Sequence, residues 1–322
     1  MIELSVSIEG LCGLTWHAWK RLVEEVEPLG FAGLFCSDHF SLPETSTVDS
    51  LEMIVALTYL ADHTQRLHFG PMVAPFSFRD PVMLARQAAA LDDLSGGRML
   101  LGVGAGWMEY EHHMFGYDLG DMATRMARFE EGLEVITRLL QSTEPVSYQG
   151  QFYQLCEAIL HPRPRRPGGS PILVGGKGPR RTLPLVARYA NIWNATRLTP
   201  DEFRALSAKL DELMRTAGRE PSAIKRTLMI PIICGRDTAE LERRVQRFRQ
   251  LFPELADMRL DALLDDLRAS FTNMIVGTPD EVIGEIRAYV DAGVEELIIQ
   301  WFGVEDLEGL QVLAEQVLPQ LS

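Results

Sequence analysis

Pro171-Ile172-Leu173-Val174-Gly175-Gly176-Lys177-Gly178-Pro179-Arg180-Arg181 passes from a short apolar run, through a glycine turn, into a helical pattern over residues 179–189. A short apolar run bounded by glycine suits a buried strand. The same strand–turn–helix unit recurs along the chain. Strand-like runs lie at 2–8, 33–37, 67–73, 99–104, 171–174, 191–195, 227–234 and 296–300. Helical runs follow at 16–29, 50–62, 81–94, 123–140, 179–189, 200–217, 239–251 and 304–318. The run at 81–94 opens on Pro81 and ends at Gly96-Gly97, and Thr278-Pro279-Asp280-Glu281 is a capping box ahead of the last strand.

Parallel neighbours need crossover helices, so strict alternation implies a parallel sheet. Eight units within 322 residues predict a single (β/α)8 TIM barrel spanning residues 1–322. An open doubly wound sheet has the same periodicity, which does not report closure. Three stretches fall outside the repeat: 107–120 after strand four, 143–170 before strand five, and 252–273 before strand eight. The second has a hairpin pattern over 146–153, and the third a helical run at 260–269. Excursions of this length build or cover active sites.

The formal net charge of -14 weighs against nucleic acid, whose phosphates attract basic surfaces. An anionic ligand must then be held by a local site. No apolar run approaches twenty residues, which argues against a membrane span, and residues 1–9 read as a strand and not as a signal peptide. Cys12, Cys36, Cys156 and Cys234 are far apart with no C-x-x-C pair, which fits a reduced, cytoplasmic setting.

In such a barrel the active site lies at the C-terminal strand ends. These carry Glu9, Asp38-His39, Met72-Val73-Ala74, Gly104-Ala105-Gly106-Trp107, Gly175-Gly176-Lys177-Gly178, Asn194, Cys234 and Gln300-Trp301. Carboxylate pairs are scarce, no lysine suits Schiff-base chemistry, and no Ser or Cys has an evident partner base. Chemistry therefore falls to a bound cofactor. The turn from Gly175 to Gly178 offers backbone N–H groups, a helix start, Lys177 and Arg180 to an anion; a ligand-free strand-to-helix turn needs only one glycine. Gly102-Val103-Gly104-Ala105-Gly106 is G-x-G-x-G, a weak dinucleotide signal. It suits either close backbone approach to a flat ring or a plain turn. Asp38-His39 pairs a carboxylate with a group that titrates near neutrality. Glu109, Glu111, His112 and His113 crowd one short helix and cannot all point one way, so they read as a solvated lid face and no metal site is expected. Gly70-Pro71 inside strand three marks a bulge.

Several motifs in order resemble the bacterial luciferase-like family of flavin- and deazaflavin-dependent oxidoreductases. They are Arg79-Asp80-Pro81, Leu91-Asp92-Asp93-Leu94-Ser95-Gly96-Gly97-Arg98, Leu101 to Trp107, Glu111, Arg128-Phe129-Glu130-Glu131, Val174 to Gly178 and Trp193-Asn194. The resemblance implies a (β/α)8 barrel, often dimeric, with the cofactor ring across its mouth. It implies a non-proline cis peptide at Met72-Val73 against that ring, and cofactor phosphate at the turn after strand five. Ser37-Asp38-His39-Phe40 and Glu111 are similar to the members that use coenzyme F420, a deazaflavin, where the Asp and His sit beside the ring and the substrate. The chain departs from the sugar-phosphate dehydrogenases of that branch, because Trp107 stands where they carry a catalytic glutamate.

The resemblance thus implies hydride transfer between coenzyme F420 and a small organic substrate. His39, Asp38 and Trp107 would be catalytic. The cofactor would be held by Asp38, Met72, Val73, Ala74, Gly104, Ala105, Gly106, Trp107, Glu111, Gly175, Gly176, Lys177, Gly178, Arg180 and Asn194. The alternatives are an FMN-dependent monooxygenase, served by a partner reductase that supplies reduced cofactor, and a flavin-binding protein without turnover.

Overall fold

The structure, a computed structural model, describes residues 2–41, 48–252, 255, 258–269 and 273–321. Strand β1 (Glu3–Ile8) leads through helix α1 (Trp16–Val26) to β2 (Gly33–Cys36) and α2 (Met53–His63). Next come β3 (His68–Pro71), β4 (Ala74–Pro75), α3 (Pro81–Leu94), β5 (Leu101–Gly104), α4 (Glu109–Phe115) and α5 (Met122–Gln141). An antiparallel hairpin of β6 (Val146–Gln149) and β7 (Gln154–Ala158) precedes β8 (Ile172–Gly175), α6 (Thr182–Tyr189), β9 (Ile192–Thr196) and α7 (Pro200–Thr216). The chain then runs through β10 (Lys225–Cys234), α8 (Thr238–Gln250), α9 (Leu260–Ala269), β11 (Ile275–Gly277), α10 (Pro279–Asp291), β12 (Glu296–Trp301) and α11 (Leu307–Val312).

Parallel pairs join the main sheet in the order β3-β2-β1-β12-β10-β9-β8-β5-β4, with β11 beside β10. Its two ends meet, because Leu100 N donates to Phe69 O at 2.8 Å and a parallel bridge links Phe69 to Met99. The expected (β/α)8 barrel is therefore the fold. Periodicity alone missed three details. The third strand is interrupted at the cis Met72-Val73 peptide and resumes as β4. The hairpin's return strand lies beyond residue 153. The third insertion also adds β11, which pairs with the far half of β10 after β12 has ended.

Side chains alternate between the two faces of each strand. Outward-facing Leu4, Val6, Leu34, Leu101, Val103, Trp193, Leu228 and Ile299 pack in one cluster with the helices. Inside the barrel, Phe35, Met72, Leu100, Leu173, Ile192 and Ile298 form a second cluster, with Val73 and Met229 against it. Several lumen positions on β5 and β8 are glycine, for a reason visible only in three dimensions. A Cβ on Gly104 would lie 2.8 Å from Val73 Cγ2, one on Gly175 3.1 Å from Val73 Cγ1, and one on Gly102 2.0 Å from Pro71 O. The G-x-G-x-G run thus makes room for the Met72-Val73 bulge of the neighbouring strand. Gly102→Ala should cost about 1–3 kcal/mol through forced backbone displacement. Gly284→Ala, in open space on α10, should instead stabilise by roughly 0.5–1 kcal/mol. Denaturant midpoints of the two variants, shifted in opposite directions, check this.

The barrel floor is charged. Ser5, His68 and Lys225 converge on Glu296, whose carboxylate is 1% exposed. His68 Nε2 lies 2.8 Å from Oε1 and Lys225 Nζ 2.7 Å from Oε2.

Candidate active site

The mouth is framed first by the turn after β2. Ser37 Oγ accepts the Gly10 N–H at 3.0 Å, tying that turn to β1. Asp38 is buried, and Arg79 closes on both its oxygens at 2.8 and 2.6 Å. Arg79 also pairs with Glu52 at 2.7 Å. Burial raises the Asp38 carboxyl pKa against the opposing pull of Arg79. Asp38, expected beside a cofactor ring, has both oxygens engaged by Arg79 and lies in the turn that carries His39.

His39 Nδ1 lies 3.0 Å from Glu111 Oε1, and Glu111 Oε2 accepts the Phe40 N–H at 3.0 Å. The carboxylate is clamped from both sides and takes the Nδ1–H, which leaves His39 Nε2 as the ring nitrogen able to exchange a proton. Burial pulls the imidazole pKa down, but the hydrogen bond and charge of Glu111 outweigh it and the net shift is upward. The expectation of a solvated lid face fails for two of its four residues, Glu109, Glu111, His112 and His113. Glu111 is 1% exposed and His112 2%. Phe40 packs on Phe78 and Phe115, with ring centroids 4.6 and 4.8 Å apart, and so draws α4 down onto the β2 turn. Among the described residues no group of three His, Cys, Asp or Glu is placed to hold a metal. Trp107 is 66% exposed and meets the His39 ring edge-on at 5.7 Å. Arg125 Nη1 holds the preceding Gly106 carbonyl at 3.0 Å.

The turn after β8 is set by its neighbour. Gly176 N donates to Asn194 O at 2.9 Å, and Trp193 Nε1 donates to Gly176 O at 2.8 Å. Gly176 has φ +131°, a conformation that only glycine adopts freely. The N–H groups of Lys177, Gly178, Arg180 and Arg181 have no acceptor among the described residues. Lys177 is exposed. Asn194 is buried and donates to Thr227 Oγ1 at 2.9 Å, which makes it a support of the turn.

A third group joins Glu9 and Gln300, placed at strand ends by the sequence, to Arg197, which the sequence did not single out. Gln300 Nε2 donates to Glu9 Oε1 at 2.6 Å, and Arg197 donates to Gln300 Oε1 from Nε at 3.2 Å and Nη2 at 2.9 Å. The available signal for Arg197 was a charged residue one step past a strand end. Its left-handed backbone, φ +48°, carried no mark in the sequence.

Comparison with known proteins agrees with this geometry. An F420-dependent glucose-6-phosphate dehydrogenase of Amycolatopsis mediterranei (strain U-32) is 27% identical over 329 residues, covering 94% of this chain and 94% of that protein. A 4-hydroxyprotoasukamycin monooxygenase of Streptomyces nodosus subsp. asukaensis is 37% identical over 162 residues, covering 50% of this chain and 42% of that protein. Among solved structures, an F420-dependent secondary alcohol dehydrogenase in complex with an F420-acetone adduct has TM-score 0.84 at 19% identity, covering 100% of this chain and 99% of that one. The monooxygenase RslO1 from Streptomyces bottropensis has TM-score 0.84 at 21% identity, with both chains covered fully, at 100% each. At these identities the structures bear on the fold. The family profile described as luciferase-like monooxygenase matches residues 6–296. The chain belongs to the luciferase-like monooxygenase family.

Proposed function

We propose that this protein is an oxidoreductase exchanging hydride between coenzyme F420 and a small organic substrate at the barrel mouth. The observation that carries the reading is the His39–Glu111 clamp, which presents a proton-exchanging Nε2 at the end of β2. The relatives named as F420-dependent support it.

The residues present fit such a cofactor. The acceptor-free N–H groups of Lys177, Gly178, Arg180 and Arg181, with the side chains of Lys177 and Arg180, suit its phosphate. Met72, Val73 and Ala74 form the bulge that the lumen glycines admit, which suits a planar ring resting on it; Gly104, Ala105 and Gly106 continue that wall. When bound, the deazaflavin supplies a ring carbon that gives or accepts hydride. The protein's part is to hold a proton at His39 Nε2 and pass it to or from the substrate oxygen. Glu111 positions the imidazole, Asp38 positions the turn, and Trp107 covers the His39 edge.

Sugar-phosphate oxidation does not transfer from the dehydrogenase relative, because Trp107 offers no carboxylate after the glycine turn. A second reading, an FMN-dependent monooxygenase fed by a reductase, is favoured by the monooxygenase relative. Lys177→Ala tests the phosphate anchor. Coenzyme F420 binding, followed by fluorescence, should weaken roughly tenfold, the scale of one charged hydrogen bond. Turnover at saturating cofactor should be retained. Unchanged affinity would place the phosphate elsewhere.

A further inference from the structure

A cavity of about 500 Å³ opens between α8 and the segment that follows β12. Ile232, Ile233, Phe248, Met274, Trp301 and Phe302 give it apolar walls. Its size falls within the range of small-molecule sites.

Two features connect it with the mouth and define what it accepts. Gln300 lines the cavity and also donates to Glu9, which follows β1, the strand standing between β2 and β12 in the sheet. The end of β1 at Glu9 therefore separates the strand end that lines the cavity from the β2 end that carries His39. The cations in the cavity wall stand beside carboxylates. Arg244, 5% exposed, pairs with Asp306 and, at 2.6 Å, with Glu240. Arg247 lies 3.7 Å from Asp306. The described lining holds two cations, Arg244 and Arg247, and two carboxylates, Glu305 and Asp306, so its formal charges cancel, and burial of an unpaired anion against apolar walls is strongly unfavourable.

We infer that this cavity receives the apolar body of the substrate, an uncharged aliphatic compound whose reacting end lies toward Gln300 and Glu9. The inference rests on the hydride-transfer reading for the word substrate, and on the cavity alone for the binding.

The test is calorimetric titration of the cofactor-free protein with linear methyl ketones from 2-butanone to 2-decanone. Affinity should tighten about three- to fourfold per added methylene, the scale of hydrocarbon burial, until the cavity is filled. Leu251→Trp, a half-buried wall position, should narrow the cavity and bring the plateau to shorter chains. A flat series, or a Leu251→Trp series identical to wild type, would overturn the cavity assignment. A retained series in a protein that binds coenzyme F420 yet turns over none of these ketones or their alcohols would overturn the substrate assignment instead.

Discussion

Replacing His39 with alanine should slow hydride transfer by about 10²–10⁴, the usual contribution of a positioned general acid or base, while coenzyme F420 binding largely survives. The imidazole is placed by contacts that are not themselves chemical. Glu111 is locked by the Phe40 N–H and by burial, so Nδ1 is committed and Nε2 is the working atom. Single-turnover absorbance under saturating cofactor measures the effect. Glu111→Gln separates positioning from chemistry. A neutral amide still accepts the Nδ1–H but removes the charge that raises the His39 pKa. The limb of the pH–rate profile that reports the protonated imidazole should therefore move to lower pH. Unchanged turnover in His39→Ala would remove this residue from the mechanism.

The second large effect is expected at the opposite end of the barrel. Burial alone would raise the Glu296 pKa, but His68 and Lys225 reverse that and hold it at about 2. A carboxylate whose folded pKa lies below its unfolded value adds stability that is complete above the unfolded pKa. That stability is lost as pH falls through the folded one. From the ordinary glutamate value down to about 2, the contribution is on the order of 3 kcal/mol. Glu296→Gln should lose a similar amount near neutrality, because Lys225 and His68 keep their burial without their partner. Denaturant unfolding at a series of pH values should show the wild-type advantage shrinking from about pH 5 toward pH 2. Equal stability of the two proteins at neutral pH would contradict this reading of the floor. His39-dependent turnover should be unaffected, since β12 begins at Glu296 on the floor and reaches the mouth at Gln300.

Much of the architecture was legible because parallel strands cannot be joined without helices. The alternation located all eight barrel strands and both long excursions that carry α4 and α9. Pro81–Leu94 and Leu260–Ala269 matched their helical patterns in full; in the first, the Asp80 cap and Pro81 agree with the apolar spacing. What escaped reading depended on contacts between distant residues. Glu111 reaches His39 across 72 positions, and a seven-residue helix is too short for its apolar face to declare itself. That Arg79 meets both Asp38 oxygens from 41 positions away is likewise not visible locally. Gly102 and Gly104 signalled that something approaches closely; the spacing does not say whether a ring or Val73 does. The cis peptide at Met72-Val73, implied only by resemblance, is present in the structure. Arg197, one step past β9, meets Gln300 across 103 positions, a contact that appears only when the two strand ends are set side by side.

Parallel titration of the purified protein with coenzyme F420 and with FMN, read by absorbance and fluorescence, tests the cofactor assignment most directly. Saturable binding of coenzyme F420, weakened by Lys177→Ala and preferred over FMN, is the expected result. Tight FMN binding with no binding of coenzyme F420 would contradict it.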